Sequence, residues 1–303
     1  MNRLMLHIGS MKTGSSSMQA ALARSRRALS NCGINYVRHG SLEKAAKGVP
    51  TAGNGQVFRN RLRDGISGQE FDGHSTALFS GELLLNFLVS DQAEQKLEEY
   101  CLRNRVTEVR ILLLVREPVS HAASLYGEQV RNALETKSIE DFFSIYRYPT
   151  HIRTFLERFE RVPNVELIVR RYASDTNSNH LLEKFLGGSI VLDSPDTEKI
   201  HRSFTQAELE LQRAINLACG ERGRRLLKPM ARTLPDIPQD LTMPDLQVQR
   251  SMAERVAPDF DTINRFLDVS EQIRPKYHEP RRSDSFLMSR AQLNEIAKAL
   301  SQL

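Results

Sequence analysis

The sequence predicts a three-layer α/β fold, in which a parallel sheet has helices on both faces and is followed by a helical C-terminal third. Short apolar runs alternate with segments of helical periodicity between residues 4 and 190, a pattern that is typical of parallel sheets. The run EVRILLLV at 108–115 is the most apolar of them, so both faces of its strand are expected to be covered. Beyond residue 205 helical periodicity continues without a comparable series of strand-like runs.

Each element of the first part follows from its local pattern. Strands are expected at 4–8, 33–37, 76–80, 108–115 and 165–169. A helix is expected directly after Gly14, where apolar residues recur at near-helical spacing, and another over 82–88. Pro118 predicts the start of a further helix, because proline fits the first turn.

Two capping boxes mark helices in the C-terminal third. TQAE at 205–208 and SRAQ at 289–292 each pair a hydroxyl residue with Glu or Gln three positions later, which predicts that a helix begins there. Four prolines between residues 229 and 244 predict a loop-rich segment between these helices. Residues 39–75, which hold seven of the sixteen glycines, are also expected to be irregular.

The composition is that of an ordinary globular protein. The 303 residues are 40% hydrophobic and 26% charged, values typical of soluble domains. We expect a single domain over 1–303, with a core at 1–220 and a helical, loop-rich part at 221–303. The net charge of +5 favours an anionic ligand and is too small to indicate nucleic acid.

The N-terminus and the cysteines predict the compartment. The segment MNRLMLHIG is too short for a signal peptide, and no apolar run reaches the ~18 residues of a membrane span. Cys32, Cys101 and Cys219 are far apart and form no C-x-x-C pattern. Dispersed cysteines in odd number indicate reduced thiols, so a cytoplasmic protein is expected.

The stretch HIGSMKTGSSSMQ at 7–19 looks like a phosphate-binding loop with a displaced lysine. Gly9 and Gly14 have the spacing of G-x-x-x-x-G-K-[ST], but Ser15 stands where that motif has lysine, and Lys12 lies inside the loop. A strand, a glycine turn and a helix in this order aim backbone N–H groups and the positive end of the helix dipole at one point. The stretch therefore predicts an anion site; the alternative is a plain strand–helix turn.

A second anion site is predicted in VREPVSHAASLY at 115–126. Arg116 stands at the end of a strand, where ligands of parallel sheets bind, and its planar guanidinium suits phosphate. Ser124 follows eight residues later. ATP-dependent phosphotransferases place a magnesium-binding aspartate at such a strand end, so the arginine predicts that no metal is needed. The alternative is an arginine in a surface ion pair.

Together the two motifs resemble those of the PAPS-dependent sulfotransferases, which transfer a sulfuryl group from 3′-phosphoadenosine 5′-phosphosulfate (PAPS). The likeness rests on K-T-G-[ST]-[ST] after the first strand, on R-x-P with a serine eight residues beyond the arginine, and on their order within residues 4–190. RSFTQAELE at 202–210 is similar to a later nucleotide-side loop of bacterial members. The resemblance implies a P-loop-like fold, and the extreme C-terminus shows no match.

The resemblance also implies a role for each motif. The first loop would hold the 5′-phosphosulfate through Lys12, Thr13, Gly14, Ser15 and Ser16. The second would hold the 3′-phosphate through Arg116 and Ser124. Such a donor has no γ-phosphate, so the lysine of the nucleotide triphosphatases has nothing to reach.

Two residues are candidates for catalysis. Lys12 would neutralise charge that grows on the bridging oxygen as the S–O bond breaks. Glu82 in FSGELL resembles the glutamate base of glycan-modifying sulfotransferases; the alternative is a glutamate held at a helix start by the macrodipole. His74 is the reserve base, because phenol and steroid sulfotransferases use a histidine, whereas His7 and His121 are expected to be structural.

The acceptor is expected to be a hydroxyl or amine, of a saccharide or a glycolipid. The basic segments 59–63, 222–228 and 274–282 could bind an anionic saccharide, but such segments are more often solvated basic faces. The chain has no tryptophan, which leaves no clear stacking platform for sugars. Two other functions stay open: a P-loop kinase or another nucleotide phosphotransferase, which would need ATP and magnesium, and an inactive module that binds an anionic partner.

Overall fold

The part of the chain that the structure describes contains a parallel sheet of five strands. This structure is a computed structural model, and it describes residues 1–9, 11–49, 51–65, 70–173, 177–193, 203–224, 226–227, 229–237, 242–280 and 288–300. The strands are β1 (Asn2–His7), β2 (Ile34–Tyr36), β3 (Thr76–Ser80), β4 (Val106–Arg116) and β5 (Val165–Tyr172). All neighbouring strands are parallel, as the sequence predicts.

β4 and β5 extend furthest beyond their predicted bounds. β4 begins at Val106, and β5 runs on to Tyr172. The additional residues of β5 include Arg170 and Arg171, whose charges conceal a strand from a search for apolar runs. β5 lies at the edge of the sheet, where charged side chains reach water and are common.

The order of the strands creates a ligand position. The sheet runs β2-β3-β1-β4-β5. From β1 the chain moves to one side to form β2 and β3, and it then passes β1 to form β4 and β5 on the other side. The strand order therefore reverses between β1 and β4, and open parallel sheets bind ligands beyond the carboxyl ends of the strands at such a point.

Helices connect the strands and form the C-terminal third. In chain order they are α1 (Ser15–Arg24), α2 (Arg26–Asn31), α3 (Leu42–Ala46), α4 (Gly55–Asp64), α5 (Leu84–Leu88), α6 (Ala93–Arg103), α7 (Pro118–Asn132), α8 (Ile139–Ile145), α9 (Tyr148–Phe159), α10 (Ser178–Phe185), α11 (Gln206–Cys219), α12 (Met230–Thr233), α13 (Leu246–Asn264) and α14 (Arg290–Leu300). Short 3-10 helices lie at Gly220–Gly223 and Val269–Glu271. A helix begins at Pro118, as predicted, and the described elements of the last third are all helical.

The sheet is buried on both faces. Leu78 of β3 points into a core that it shares with Met18 and Leu22 of α1. Its neighbour Phe79 points to the opposite face, because successive side chains of a strand alternate. There it packs on Phe58 of α4, with ring centroids 4.8 Å apart. The predicted three-layer α/β fold, a parallel sheet with helices on both faces, is confirmed.

The prediction that residues 39–75 are irregular is wrong in part. α3 and α4 lie in this segment, and α4 buries Phe58 and Leu62 one turn apart. The glycines misled the prediction because they flank α4 instead of interrupting it. Gly55 is its first residue, and Gly65 ends it with φ +65°, the left-handed conformation common at helix C-termini.

The loop-rich segment predicted after α11 is shorter than expected. α13 is 19 residues long, and its Met252, Val256 and Phe260 are buried at the spacing of one helix face. The prolines behind the prediction all precede residue 245, so they do not interrupt this helix. Pro258 lies inside it, contrary to the rule that proline breaks a helix.

Both predicted capping boxes are present. Thr205 Oγ1 accepts from the Glu208 N–H (3.3 Å), and the Glu208 carboxylate accepts from the Thr205 N–H (2.9 Å). Ser289 and Gln292 form the same reciprocal pair before α14. The Gln292 side chain also donates to the Glu208 carboxylate (2.7 Å), which ties α14 to α11.

The chain divides into two compact units. The first comprises residues 1–117, 147–198 and 257–274, and the second comprises residues 118–146, 199–256 and 275–303. The first unit holds the sheet, and the described elements of the second are helical. Within the described ranges, every helix is too short or too polar to cross a membrane. The expectation of a single domain with a core at 1–220 stays a prediction.

Candidate active site

The loop between β1 and α1 follows the predicted strand–turn–helix path. β1 ends at His7, and α1 begins at Ser15. The Ile8 N–H donates to the Leu112 carbonyl of β4 (3.0 Å), which holds the start of the loop on the sheet. Lys12 has a left-handed backbone with φ +64°, which is uncommon for residues other than glycine. The chain therefore turns sharply at the lysine of the motif.

Gly14 is required by the geometry where the loop meets α1. Its φ is +80°, and a Cβ there would stand 2.6 Å from Ser178 Oγ and 3.0 Å from the ring of Tyr172. Glycine alone combines this left-handed conformation with so close an approach. The end of β5 and the start of α10 therefore pack directly against the loop.

The first turn of α1 presents backbone donors. Gly14 caps the helix without a side-chain hydrogen bond, and its carbonyl accepts from the N–H groups of Ser17 (3.1 Å) and Met18 (3.3 Å). Within the described residues, the N–H groups of Ser15 and Ser16 have no hydrogen-bond acceptor. Such N–H groups carry the positive end of the helix dipole, an arrangement that binds anions.

Two buried polar side chains adjoin the loop. Ser15 Oγ is buried and has no hydrogen-bond partner in the described part of the chain. His7 Nδ1 lies 2.8 Å from Ser80 Oγ at the end of β3, and the His7 Nε2 lacks a partner among the same residues. Burial lowers the pKa of His7 to about 4, so the imidazole is neutral near pH 7.

The two predicted anion motifs meet at the end of β4. Arg116 is the last residue of β4, and its Nη1 donates to the Lys12 carbonyl (3.3 Å). The guanidinium therefore adjoins the loop at the point where the strand order reverses. Motifs 104 residues apart in the sequence come together at one edge of the sheet.

Glu82 lies at the same edge, in the turn after β3. The Gly81 N–H donates to the His7 carbonyl (3.0 Å), so this turn is next to the start of the loop. α5 begins only at Leu84, which places the half-buried Glu82 before the helix. A carboxylate so close to a helix start can also stabilise the helix through the macrodipole, so the assignment of Glu82 as base stays a prediction.

A close contact between two glycines lies beside Glu82. A Cβ on Gly81 would stand 2.7 Å from the Gly55 Cα, so the start of α4 approaches the Glu82 turn backbone to backbone. A shallow groove at this contact is lined by Ala52, Gly55, Gln56, Arg59, Gly81, Leu83 and Leu84. Gln56 and Arg59 are exposed and offer polar groups to a molecule in the groove.

Asn54 fixes this edge of the sheet, although nothing in the sequence marks it. Its Nδ2 donates to the carbonyls of Val37 (2.9 Å) and Leu78 (3.1 Å), and its Oδ1 accepts from the Ser80 N–H (2.6 Å). The partners are backbone groups of distant segments, so they leave no side-chain signal. The segment between β2 and β3 thus supports the candidate site.

Two further residues that sequence analysis missed contact the loop. The Met11 N–H donates to the Tyr148 hydroxyl at the start of α9 (3.4 Å). The second residue is Ser178, whose Oγ approaches Gly14. A search for side chains just beyond each strand would have found Ser178, which follows β5; Tyr148 belongs to no motif and gives no such signal.

The other candidates lie elsewhere. Ser124 is half-buried on α7, in the second unit, and its pairing with Arg116 at a 3′-phosphate stays a prediction. His74 precedes β3 and bonds to Ser30 (2.7 Å), so it lies at the amino edge of the sheet. The five residues of β3 separate it from the carboxyl edge by about 15 Å, and the geometry does not support it as reserve base.

The remaining motif residues have structural partners. His121 Nδ1 lies 2.7 Å from the Tyr146 hydroxyl, both buried, as expected of a structural histidine. In the segment similar to a nucleotide-side loop, Thr205 and Glu208 form the capping box of α11. Arg202 of that segment lies outside the described residues.

The basic segments are partly paired. In 59–63, Arg61 pairs with the buried carboxylate of Glu70 (2.7 Å), and Arg63 pairs with the exposed Asp64 (2.7 Å). Only the second pair is typical of a solvated basic face. Arg224 pairs with Glu221 (3.3 Å). In the later basic segments, 222–228 and 274–282, positions 225, 228, 281 and 282 lie outside the described residues.

Comparison with known proteins yields a distant structural likeness. No protein-family model matches the chain, and no curated protein matches it. Among solved structures, the chain is similar to the crystal structure of a sulfotransferase from Alicyclobacillus acidocaldarius, with 15% sequence identity and a TM-score of 0.34, over 88% of this chain and 96% of that one. A likeness at this level carries no functional argument, so a function is inferred from the site itself.

Proposed function

We propose that this protein is an enzyme that moves a sulfuryl group from PAPS to an acceptor hydroxyl or amine. The observation that carries the proposal is the hydrogen bond from Arg116 to the Lys12 carbonyl. It joins the two motifs on which the resemblance to PAPS-dependent sulfotransferases rests. Both lie where the strand order reverses, the ligand position of open parallel sheets.

The residues present fit a donor with two separate anionic groups. We assign donor binding to Lys12, Thr13, Gly14, Ser15, Ser16, Arg116 and Ser124. The N–H groups at the start of α1 would hold the 5′-phosphosulfate, to which Lys12 adds a full positive charge. Arg116 would hold the 3′-phosphate through charge-assisted hydrogen bonds, together with the Ser124 hydroxyl.

Bound PAPS supplies a sulfuryl group that is joined to its 5′-phosphate through a bridging oxygen. During transfer the acceptor oxygen bonds to sulfur, the bridging S–O bond breaks, and adenosine 3′,5′-bisphosphate leaves. The Lys12 ammonium stabilises negative charge on the bridging oxygen, and the Glu82 carboxylate takes the acceptor proton. As in phosphoryl transfer, the protein contributes mainly positioning and charge stabilisation.

The surface beside Glu82 is the proposed acceptor site. The groove itself has room for about one water molecule, so an acceptor would lie over it, where Gln56 and Arg59 are exposed. Such polar groups suit a hydroxyl-rich molecule, which would lie next to the turn that carries the proposed base. We therefore favour a saccharide, or the headgroup of a glycolipid, as acceptor.

We further propose a cytoplasmic enzyme that needs no metal. The cysteines Cys32, Cys101 and Cys219 are free, as is common in a reducing compartment. Arg116 occupies the strand end where an ATP-dependent phosphotransferase would carry a magnesium-binding aspartate. The same residue argues against the kinase alternative.

A transfer assay tests the proposed function. The purified protein is incubated with radiolabelled PAPS and with panels of saccharides, glycolipids, phenols and peptides. We expect label to appear in a saccharide or glycolipid. Transfer of labelled phosphate from ATP with magnesium would support a kinase instead. Binding of adenosine 3′,5′-bisphosphate without transfer to any acceptor would support the inactive module.

A further inference from the structure

Two buried polar atoms at the anion loop have no hydrogen-bond partner among the described residues. They are His7 Nε2 and Ser15 Oγ, on side chains that are 0% and 1% exposed. Buried polar atoms are nearly always paired, and each exception calls for an explanation. An apolar side chain at position 7 would avoid the desolvation penalty of the unpaired nitrogen.

The two unpaired atoms face the same point. A Cβ on Gly9 would stand 2.3 Å from Ser15 Oγ and 3.1 Å from His7 Nε2. Because residue 9 is glycine, the space between them stays open. The hydrogen bond proposed below requires the Ser15 side chain to move to another staggered χ1 rotamer when an anion binds.

The other side of the imidazole is held in place. His7 Nδ1 lies 2.8 Å from Ser80 Oγ, and the Ser80 N–H in turn donates to Asn54 Oδ1 (2.6 Å). A neutral imidazole has one N–H and one acceptor nitrogen, so the partner of Nδ1 decides what Nε2 offers. When the Ser80 hydroxyl donates to Nδ1, Nε2 carries the proton and is a donor.

The imidazole is suited to orienting a neighbouring hydroxyl and not to supplying charge. Burial lowers the pKa of His7 to about 4, so the ring contributes no positive charge near pH 7. The cationic side chains at the loop are those of Lys12 and Arg116. A neutral donor is suited to fixing the orientation of a neighbouring hydroxyl.

We propose that His7 is a positioning residue of the anion loop: its Nε2–H donates to Ser15 Oγ, so that the Ser15 hydroxyl gives its single proton to the bound oxyanion. The chain of hydrogen bonds runs from Ser80 through His7 to Ser15. This inference rests on the proposed function, in which the oxyanion is the phosphosulfate of the donor. It gives a role to a histidine that the sequence alone marks as structural.

Nitrogen NMR of the imidazole tests the tautomer and its response. Histidine-labelled protein is titrated with adenosine 3′,5′-bisphosphate and, separately, with inorganic sulfate, and the His7 signals are assigned by their loss in His7→Gln. We expect the Nε2–H tautomer at pH 7 and a shift of its signal on addition of either anion. The Nδ1–H tautomer, or signals that respond to neither anion, would overturn the proposal.

Affinity and stability measured together separate a positioning role from a structural one. His7→Leu should weaken the binding of adenosine 3′,5′-bisphosphate about 10-fold, and His7→Gln, which keeps a donor, should recover part of the loss. Tyr36→Phe is the control, because it removes another buried hydroxyl without a partner in the strand β2; its affinity should equal that of the parent. If His7 has only a structural role, His7→Leu should have a lower Tm but the same affinity for adenosine 3′,5′-bisphosphate as the parent.

The outcomes distinguish this inference from the proposed function. Should the parent bind sulfate with a shifted His7 signal but not the bisphosphate, the positioning role stands and the donor assignment is wrong. Parental affinity in His7→Leu contradicts the positioning role and leaves the donor assignment intact. If His7→Leu does not fold, Ser80→Ala replaces it. Loss of the Nδ1 partner should lower the affinity for adenosine 3′,5′-bisphosphate and change the tautomer of His7. An unchanged tautomer and an unchanged affinity would overturn the proposal.

Discussion

The Arg116 guanidinium donates to the Lys12 carbonyl at a distance of 3.3 Å. A guanidinium has five donors, and this bond uses one of them to hold Arg116 against the loop. The loop after β1 and the end of β4 are thereby coupled at the point where the strand order reverses. An anion bound by the loop lies near a positive charge that the loop itself holds.

Loss of Arg116 should weaken binding of the nucleotide. Arg116→Ala removes a charge-assisted contact to the 3′-phosphate worth about 1.5–3 kcal/mol, which calorimetric titration with adenosine 3′,5′-bisphosphate measures directly. Arg110→Ala is the control on the same strand, because Arg110 pairs with Glu166 (2.6 Å) and should affect stability only. Equal affinities of parent and Arg116→Ala would show that the 3′-phosphate site is misassigned.

Transfer should not depend on a divalent metal. Arg116 stands where a magnesium-binding aspartate would be expected, and the proposed charge stabilisation comes from side chains. Rates with excess chelator should therefore match rates with added magnesium. A collapse of activity in chelator, restored by magnesium, would revive the kinase interpretation.

Lys12→Ala should lower kcat strongly. Lys12 opposes charge that develops as the S–O bond breaks, so the loss should be roughly 10²–10³-fold, by analogy with the removal of one oxyanion donor. Donor affinity should fall less, because the ground state is already anionic. Lys44→Ala removes an exposed lysine of α3 and should leave kcat unchanged. A similar kcat for both variants would remove Lys12 from catalysis.

Glu82→Gln should separate transfer from donor binding. The amide keeps the shape of the side chain and cannot accept the acceptor proton, so kcat should fall about 10²–10⁴-fold at near-parental donor affinity. The parent should lose activity at low pH as the carboxylate is protonated, and the variant should lack this acidic limb. A modest loss of Tm with nearly normal kcat would instead indicate a purely structural glutamate.

Acid should destabilise the fold through His7. Its pKa is about 4 in the folded protein against 6.5 ordinarily, so between these values an unfolded chain binds a proton that the folded chain excludes. The free energy of unfolding should fall by on the order of 3 kcal/mol as the pH drops through this window, with no contribution above it. Urea unfolding of the parent and of His7→Leu at several pH values in this window tests the prediction. If the free energy of unfolding of both proteins falls equally with pH, the prediction is contradicted.

Much of the fold could be predicted because its signals are local. The strand at 76–80 was found with its bounds, since its centre, residues 77–79, is a short buried apolar run. α4 and α13 were missed or shortened because glycines and prolines near their ends were taken as interruptions. From the sequence alone, a glycine that caps a helix cannot be distinguished from one that interrupts it.

The site could be predicted only where a motif carries it. Lys12 was identified from the glycine loop and Arg116 from the end of a strand, and the structure brings the two residues into contact. Asn54 and Tyr148 could not be found, because they bind backbone groups whose positions depend on the tertiary fold. Whether Ser124 joins the site stays a prediction.

Calorimetric titration of the parent protein in excess chelator tests the central claim most directly. Three ligands are compared: adenosine 3′,5′-bisphosphate, adenosine 5′-phosphate and, with magnesium in place of chelator, ATP. The proposed function predicts saturable binding of the bisphosphate without metal. The affinity for adenosine 5′-phosphate, which lacks the 3′-phosphate, should be lower by about 10-fold or more. Binding of ATP with magnesium, with no heat from the bisphosphate, would contradict it.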